Sequence, residues 1–127
     1  MKDLHFVIQH NKQLRKQIDP EFRRQEREKD ENFRVSQWLD RYIDEAKHHL
    51  GNEVAQKYQN YRSKVLYMDR RKSNYVEAQI NFLYDCLVLL KEKQMEGPFH
   101  KIKNEILRTL SVQHVNFKRK IAFLIYK

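Results

Sequence analysis

Six histidines and one cysteine are the residues of this chain best suited to bind a metal or attack a substrate. Two ligands on one helix face must stand three or four residues apart. His5 and His10 are five apart, His48 and His49 are adjacent, and His100 and His114 are 14 apart. Neither a His-x-x-x-His nor a Cys-x-x-Cys spacing occurs, so the histidines read as surface or capping residues. No metal or other cofactor is expected. Cys86 stands inside an apolar run, where a thiol is inert core material. Ser36, Ser63, Ser73 and Ser111 all lack the Gly-x-Ser-x-Gly turn of an activated serine. Glycines at positions 51 and 97 alone cannot build a phosphate-cradling loop. Asp40 and Asp44 share a helix face but have basic neighbours, and read as a solvated pair. The chain is expected not to be an enzyme.

The most organised spacing belongs to the cations. Lys57, Lys64 and Arg71 recur every seven residues, which on one continuous helix sets them about 10.5 Å apart along one edge. Tyr67 lies beside them, with Arg70 further round. Cations flanked by amide and aromatic groups hold phosphates and stack on unpaired bases. Lys101, Arg108 and Arg119 form a parallel set on the back of the final helix. These eight residues are the expected nucleic-acid contacts. Neither set matches an RNP sequence, a zinc finger or a helix-turn-helix. The competing account is a solubilising Lys-rich surface with tyrosines reaching out from the core edge.

The placement of charge supports an anionic partner. The net charge is +9, yet residues 1–51 hold 11 Lys/Arg against 10 Asp/Glu. Residues 52–127 hold 15 against 7, and residues 99–127 carry 7 Lys/Arg against Glu105 alone. Charge concentrated in one part of a chain suits nucleic acid, a nucleoprotein complex or an acidic protein surface. A single cysteine rules out an intrachain disulfide. Polar residues interrupt the N-terminal stretch, and no apolar run approaches the roughly 20 residues of a membrane span. The expected compartment is the cytoplasm.

With 127 residues, two glycines and two prolines, the chain is expected to form one domain of long helices. Leu4, Val7, Ile8, Leu14 and Ile18 predict an amphipathic helix from about Asp3 to Ile18. Asp19-Pro20-Glu21 then stops it and starts a second, which runs to about Leu50 with Gly51 as its C-cap. Its apolar stripe is Phe33, Val35, Trp38, Leu39, Tyr42, Ile43, Ala46 and Leu50. The mixed charges of Arg23 to Asn32 predict a solvent-exposed stretch.

Asn52 is expected to cap a third helix buried through Val54, Tyr58, Tyr61, Val65 and Met68. That helix either breaks near Asp69 to Ser73 or continues, and Asn74 to Glu77 offers a capping box for a restart. Val76 to Leu90 is apolar at 11 of 15 positions and predicts the central, buried helix. Gly97-Pro98 should break the chain before a final helix whose face is Phe99, Ile102, Ile106, Leu110, Phe117, Ile121 and Leu124. Val112 and Val115 fall off that face and suggest either a kink near Ser111 or a second surface packed on something. The apolar tail should dock on the body or on a second subunit.

The expected fold is therefore all-α, a compact bundle of four to five helices around about Val76–Leu90. The expected function is non-enzymatic binding of nucleic acid or a nucleoprotein complex through basic helix faces. The alternative is a small protein-binding regulator or inhibitor docking on a larger nucleic-acid-processing machine. Short, basic, helical chains without catalytic motifs are common among the accessory proteins of phages and mobile elements, and a homo-oligomer is a further option.

Overall fold

The computed structural model describes residues 20–125. Helix α1 spans Pro20–Leu50, α2 Ala55–Val65, α3 Ser73–Glu92, α4 Glu96–Thr109 and α5 Val115–Ala122. Two 3-10 turns, Gly51–Val54 and Val112–His114, join α1 to α2 and lead into α5. The described residues contain no strand, and the helices pack as the all-α bundle that the periodicity demands. The predicted helix from about Asp3 to Ile18 lies outside the described residues.

Pro20 opens α1, where its fixed φ suits a first turn and its missing N–H is no loss. Glu21 near the positive end, with Lys47, His48 and His49 in the last turn, complements the helix dipole. Gly51 closes α1 at φ +55°, a left-handed conformation that glycine adopts without a steric penalty. Val35, Leu39, Ile43, Ala46 and Leu50 form the buried stripe. Phe33 and Trp38, expected on that stripe, are about two-fifths exposed. Each is rotated roughly 100° or more from the line through Leu39, too far to reach the core.

Helix α3 is the centre, packed on α1, α2, α4 and α5. Val76, Ile80, Leu83, Cys86, Leu87 and Leu90 have no exposed surface. Its burial is not complete around the circumference. Asn81, Tyr84, Asp85 and Val88 form a narrow strip that stays partly open.

The breaks differ from expectation in instructive ways. Asn52 does not cap α2, which starts after the 3-10 turn with Val54 at its N-cap position and no side-chain cap. The helix ends at Val65, and α3 restarts at Ser73 after an extended Lys72, without the predicted capping box. Between them, the N–H of Met68 donates to Val65 O, and that of Lys72 to Asp69 O. The turn between α3 and α4 lies at Lys93 to Met95, so Gly97 and Pro98 fall inside the first turn of α4, where proline is tolerated. The final helix divides at Leu110 and Ser111, both extended, which confirms the suspected kink. Val112 is 92% exposed, and Phe123 and Ile125 are exposed rather than docked on the described body.

Gln94 occupies the turn between α3 and α4 at φ +60°, a conformation in which an L side chain is strained by about 1–2 kcal/mol. Gln94→Gly should therefore raise the unfolding free energy by roughly 0.5–1 kcal/mol after glycine's greater chain entropy is counted. Urea denaturation of the two proteins measures it.

Candidate nucleic-acid interface

The buried side of α2 decides where its cations point. Val54, Tyr61 and Val65 enter the core, and Tyr58 and Met68 pack half-buried against it. Tyr61 stacks on Phe82 with ring centroids 5.3 Å apart, and Lys47 Nζ sits 3.6 Å from the Tyr58 centroid. This roll leaves Lys57, Asn60 and Lys64 along the open strip of α3. With Asn81 and Asp85 they line a groove of about 210 Å³. From α5, Lys120 Nζ donates to Asn81 Oδ1 at 3.2 Å and lies 4.5 Å from the Tyr84 ring. Lys57, Lys64 and Lys120 thus converge on one strip of α3. No ion pair among the described residues involves any of the three. Asp85 is the one carboxylate in the groove lining. Beneath it, burial first and Asp85 second push the Cys86 thiol up to about 12, with Lys57 opposing, so the sulfur stays protonated at neutral pH.

The remaining predicted contacts divide into three kinds. Arg70 and Arg71 do not continue the Lys57–Lys64 line, because α2 has ended before them. Arg70 pairs with Asp40, donates through Nε to Ser36 Oγ at 3.2 Å and lies over Tyr75. Arg71 reaches Asp30 at 3.2 Å and Glu26 at 3.3 Å, two carboxylates one turn apart on α1. Both arginines tie the 66–72 loop to α1 and are occupied there. Asp40 is accordingly no merely solvated residue, since it also accepts from Gln79 Nε2 at 2.8 Å. Lys101 pairs with Glu45 at 2.7 Å, which raises its pKa through that hydrogen bond and charge.

Tyr67 is 95% exposed at the end of α2, beside exposed Leu66. Arg108 borders a different groove, between α1 and α4. Arg119 is exposed on α5, beyond the kink, so it extends no stripe with Lys101 and Arg108.

Lys120 was not legible as a contact, nor was the device that places it. Its one signal is spacing: it stands three residues after Phe117 and so borders the buried face of α5. The device is a buried hub on α1. Asn32 Nδ2 donates to Arg71 O at 3.2 Å, which leaves Oδ1 to accept from His114 Nε2 at 3.1 Å. His114 Nδ1 then accepts from Ser111 Oγ at 3.0 Å. One amide side chain anchors both the 66–72 loop and the turn leading into α5.

His114, read from sequence as a surface or capping residue, is instead only 3% exposed. Burial lowers its pKa, with Glu31 pulling the other way. Below about pH 6.5 the unfolded chain takes up a proton that the folded chain refuses. Stability contributed by neutral His114 is complete above that pH. It falls as pH drops toward the folded-state pKa, by at most about 1.4 kcal/mol per pH unit. Urea unfolding from pH 8 downward measures the slope, and His114→Gln should flatten it.

Among the described residues no group of three His, Cys, Asp or Glu side chains is placed to hold a metal ion. No helix there is long and apolar enough to cross a membrane. No protein-family model matches the chain, and no curated protein or solved structure matches it either.

Proposed function

We propose that this chain is a non-enzymatic binding protein that acts on nucleic acid or a nucleoprotein complex. The observation that carries the reading is the convergence of Lys57, Lys64 and Lys120, from two helices, on one strip of α3 with no described carboxylate partner. Lysines held by internal ion pairs cannot neutralise phosphates without breaking those pairs, and these three face no such cost. Asn60 and Asn81 add amide donors between them, and exposed Tyr67 offers a ring on which an unpaired base stacks. The contact set is therefore Lys57, Lys64, Lys120 and Tyr67, with Arg119 at the margin. Arg70, Arg71 and Lys101 are withdrawn from it.

Three phosphate contacts predict a log–log salt slope of about −2 to −3, or a roughly 15- to 60-fold loss of affinity between 50 and 200 mM salt. Fluorescence anisotropy of labelled single- and double-stranded 20-mers over that range tests it. Undetectable binding of both at the lowest salt would overturn the reading.

A second reading is favoured by exposed Leu66, Val112, Phe123 and Ile125. Apolar side chains left in solvent beside cations suit a regulator that docks on the acidic surface of a larger nucleic-acid-processing machine. A pull-down that retains one protein partner after nuclease treatment would support it over the first.

A further inference from the structure

The sequence places Trp38 in a core stripe, yet the folded chain holds it 42% exposed. It borders an open groove of about 390 Å³ between α1 and α4, within the usual size range of small-ligand sites. Arg34 and Tyr42 line it from α1, and Glu105, Arg108 and Thr109 from α4. Its floor is already ordered. Thr109 Oγ1 donates to Glu105 O at 2.9 Å, and Tyr42 Oη bonds Thr109 Oγ1 at 2.7 Å. Arg41 stacks its guanidinium on the indole, 4.5 Å from the centroid. Arg108 enters no described ion pair, and Arg34 meets only Glu31, at 3.7 Å on the exposed surface.

The lining is of mixed sign, and that narrows the ligand. An indole asks for a flat partner, and two guanidiniums ask for an anion. Glu105 asks for the opposite: its side chain lines the groove, and its Oε2 is buried with no described donor reaching it, so the carboxylate has no described internal partner to offset its charge. A plain anion such as inorganic phosphate, or an acidic peptide, would satisfy the arginines and be repelled by the carboxylate. A nucleotide carries all three features: a planar base, ring N–H or amino donors on its edge, and a phosphate.

We propose that the groove between α1 and α4 is a second binding site, which takes one unpaired nucleotide. The base lies against Trp38, its edge donors turn to Glu105, and its phosphate rests on Arg34 and Arg108. Guanine is the preferred base, because a purine covers more of the indole than a pyrimidine does and its edge carries N–H donors that can meet the groove-lining side of Glu105. The site lies apart from the lysine groove and gives it a single-strand preference. In this respect the inference rests on the reading above, while binding of a free nucleotide does not.

Trp38 is the only tryptophan in the chain, so its fluorescence reports this groove alone. Guanosine monophosphate should quench it saturably, uridine monophosphate more weakly and inorganic phosphate hardly at all. Arg34→Gln with Arg108→Gln should weaken the quenching by about tenfold or more. Glu105→Gln should narrow the preference for guanosine over uridine. Both arginines are exposed, and circular dichroism checks that the variants fold. If the double variant does not, Glu105→Gln alone decides. The proposal is overturned by quenching that an acidic peptide produces more strongly than any nucleotide. Nucleotide quenching that survives the double variant, or no quenching at all, overturns it too. A labelled oligonucleotide that binds by anisotropy without disturbing Trp38 sinks this proposal and leaves the lysine groove standing. Quenching by guanosine monophosphate with no salt-sensitive oligonucleotide binding does the reverse.

Discussion

Replacing Lys57, Lys64 and Lys120 together by Glu is expected to weaken oligonucleotide binding by at least roughly 100-fold near 50 mM salt. The argument is electrostatic. Each lysine removed takes away one phosphate neutralisation and the counterion release that goes with it, and each Glu adds repulsion at the same point. The effect should be the same for every sequence tested, because phosphate contacts position a strand without reading it. The salt slope should fall by about two to three, whereas a single replacement lowers it by about one. All three side chains are exposed, so the triple variant should melt as the parent does. Affinity retained within about threefold would remove the lysine groove from the contact surface. Arg71→Glu provides the contrast: it opposes Glu26 and Asp30 and should act on stability rather than binding.

Asn32→Ala is expected to cost roughly 2–6 kcal/mol of unfolding free energy. The loss strips partners from two places at once. The Arg71 carbonyl loses its donor and the His114 Nε2–H loses its acceptor. Each such group left buried and unpaired costs about 1–3 kcal/mol. Asn32 is itself 5% exposed, so water has little access with which to repair the damage. Because the same side chain anchors the 66–72 loop and the turn into α5, both should loosen together. Amide hydrogen exchange should show faster exchange in both segments and little change in α4. Faster exchange in one segment alone would mean that the two are anchored independently.

Much of the architecture was legible because it depends on local pattern. The spacing of Val35, Leu39, Ile43, Ala46 and Leu50 commits α1 to one buried face, and Pro20 and Gly51 mark its ends through their own backbone preferences. The all-round apolar run of Val76 to Leu90 could only be central. The off-face valines at 112 and 115 betrayed the kink. What misled was the assumption that helical spacing continues through residues 65–72. On that assumption Arg71 belonged with Lys57 and Lys64, and Lys120 had no reason to join them.

The sequence alone, then, determined an all-helical chain, its central helix and the concentration of cations after residue 51, since periodicity, composition and charge are properties of neighbours along the chain. Only the tertiary structure decided which cations are engaged and which are available. Asp40, Glu26 and Asp30 on α1 capture Arg70 and Arg71, which lie 30 to 45 residues further along the chain. Glu45 captures Lys101. Asn32 and His114 bring α5, and with it Lys120, to the open strip of α3. Ion pairing across such separations depends on how helices are rolled and docked, and no local spacing encodes that.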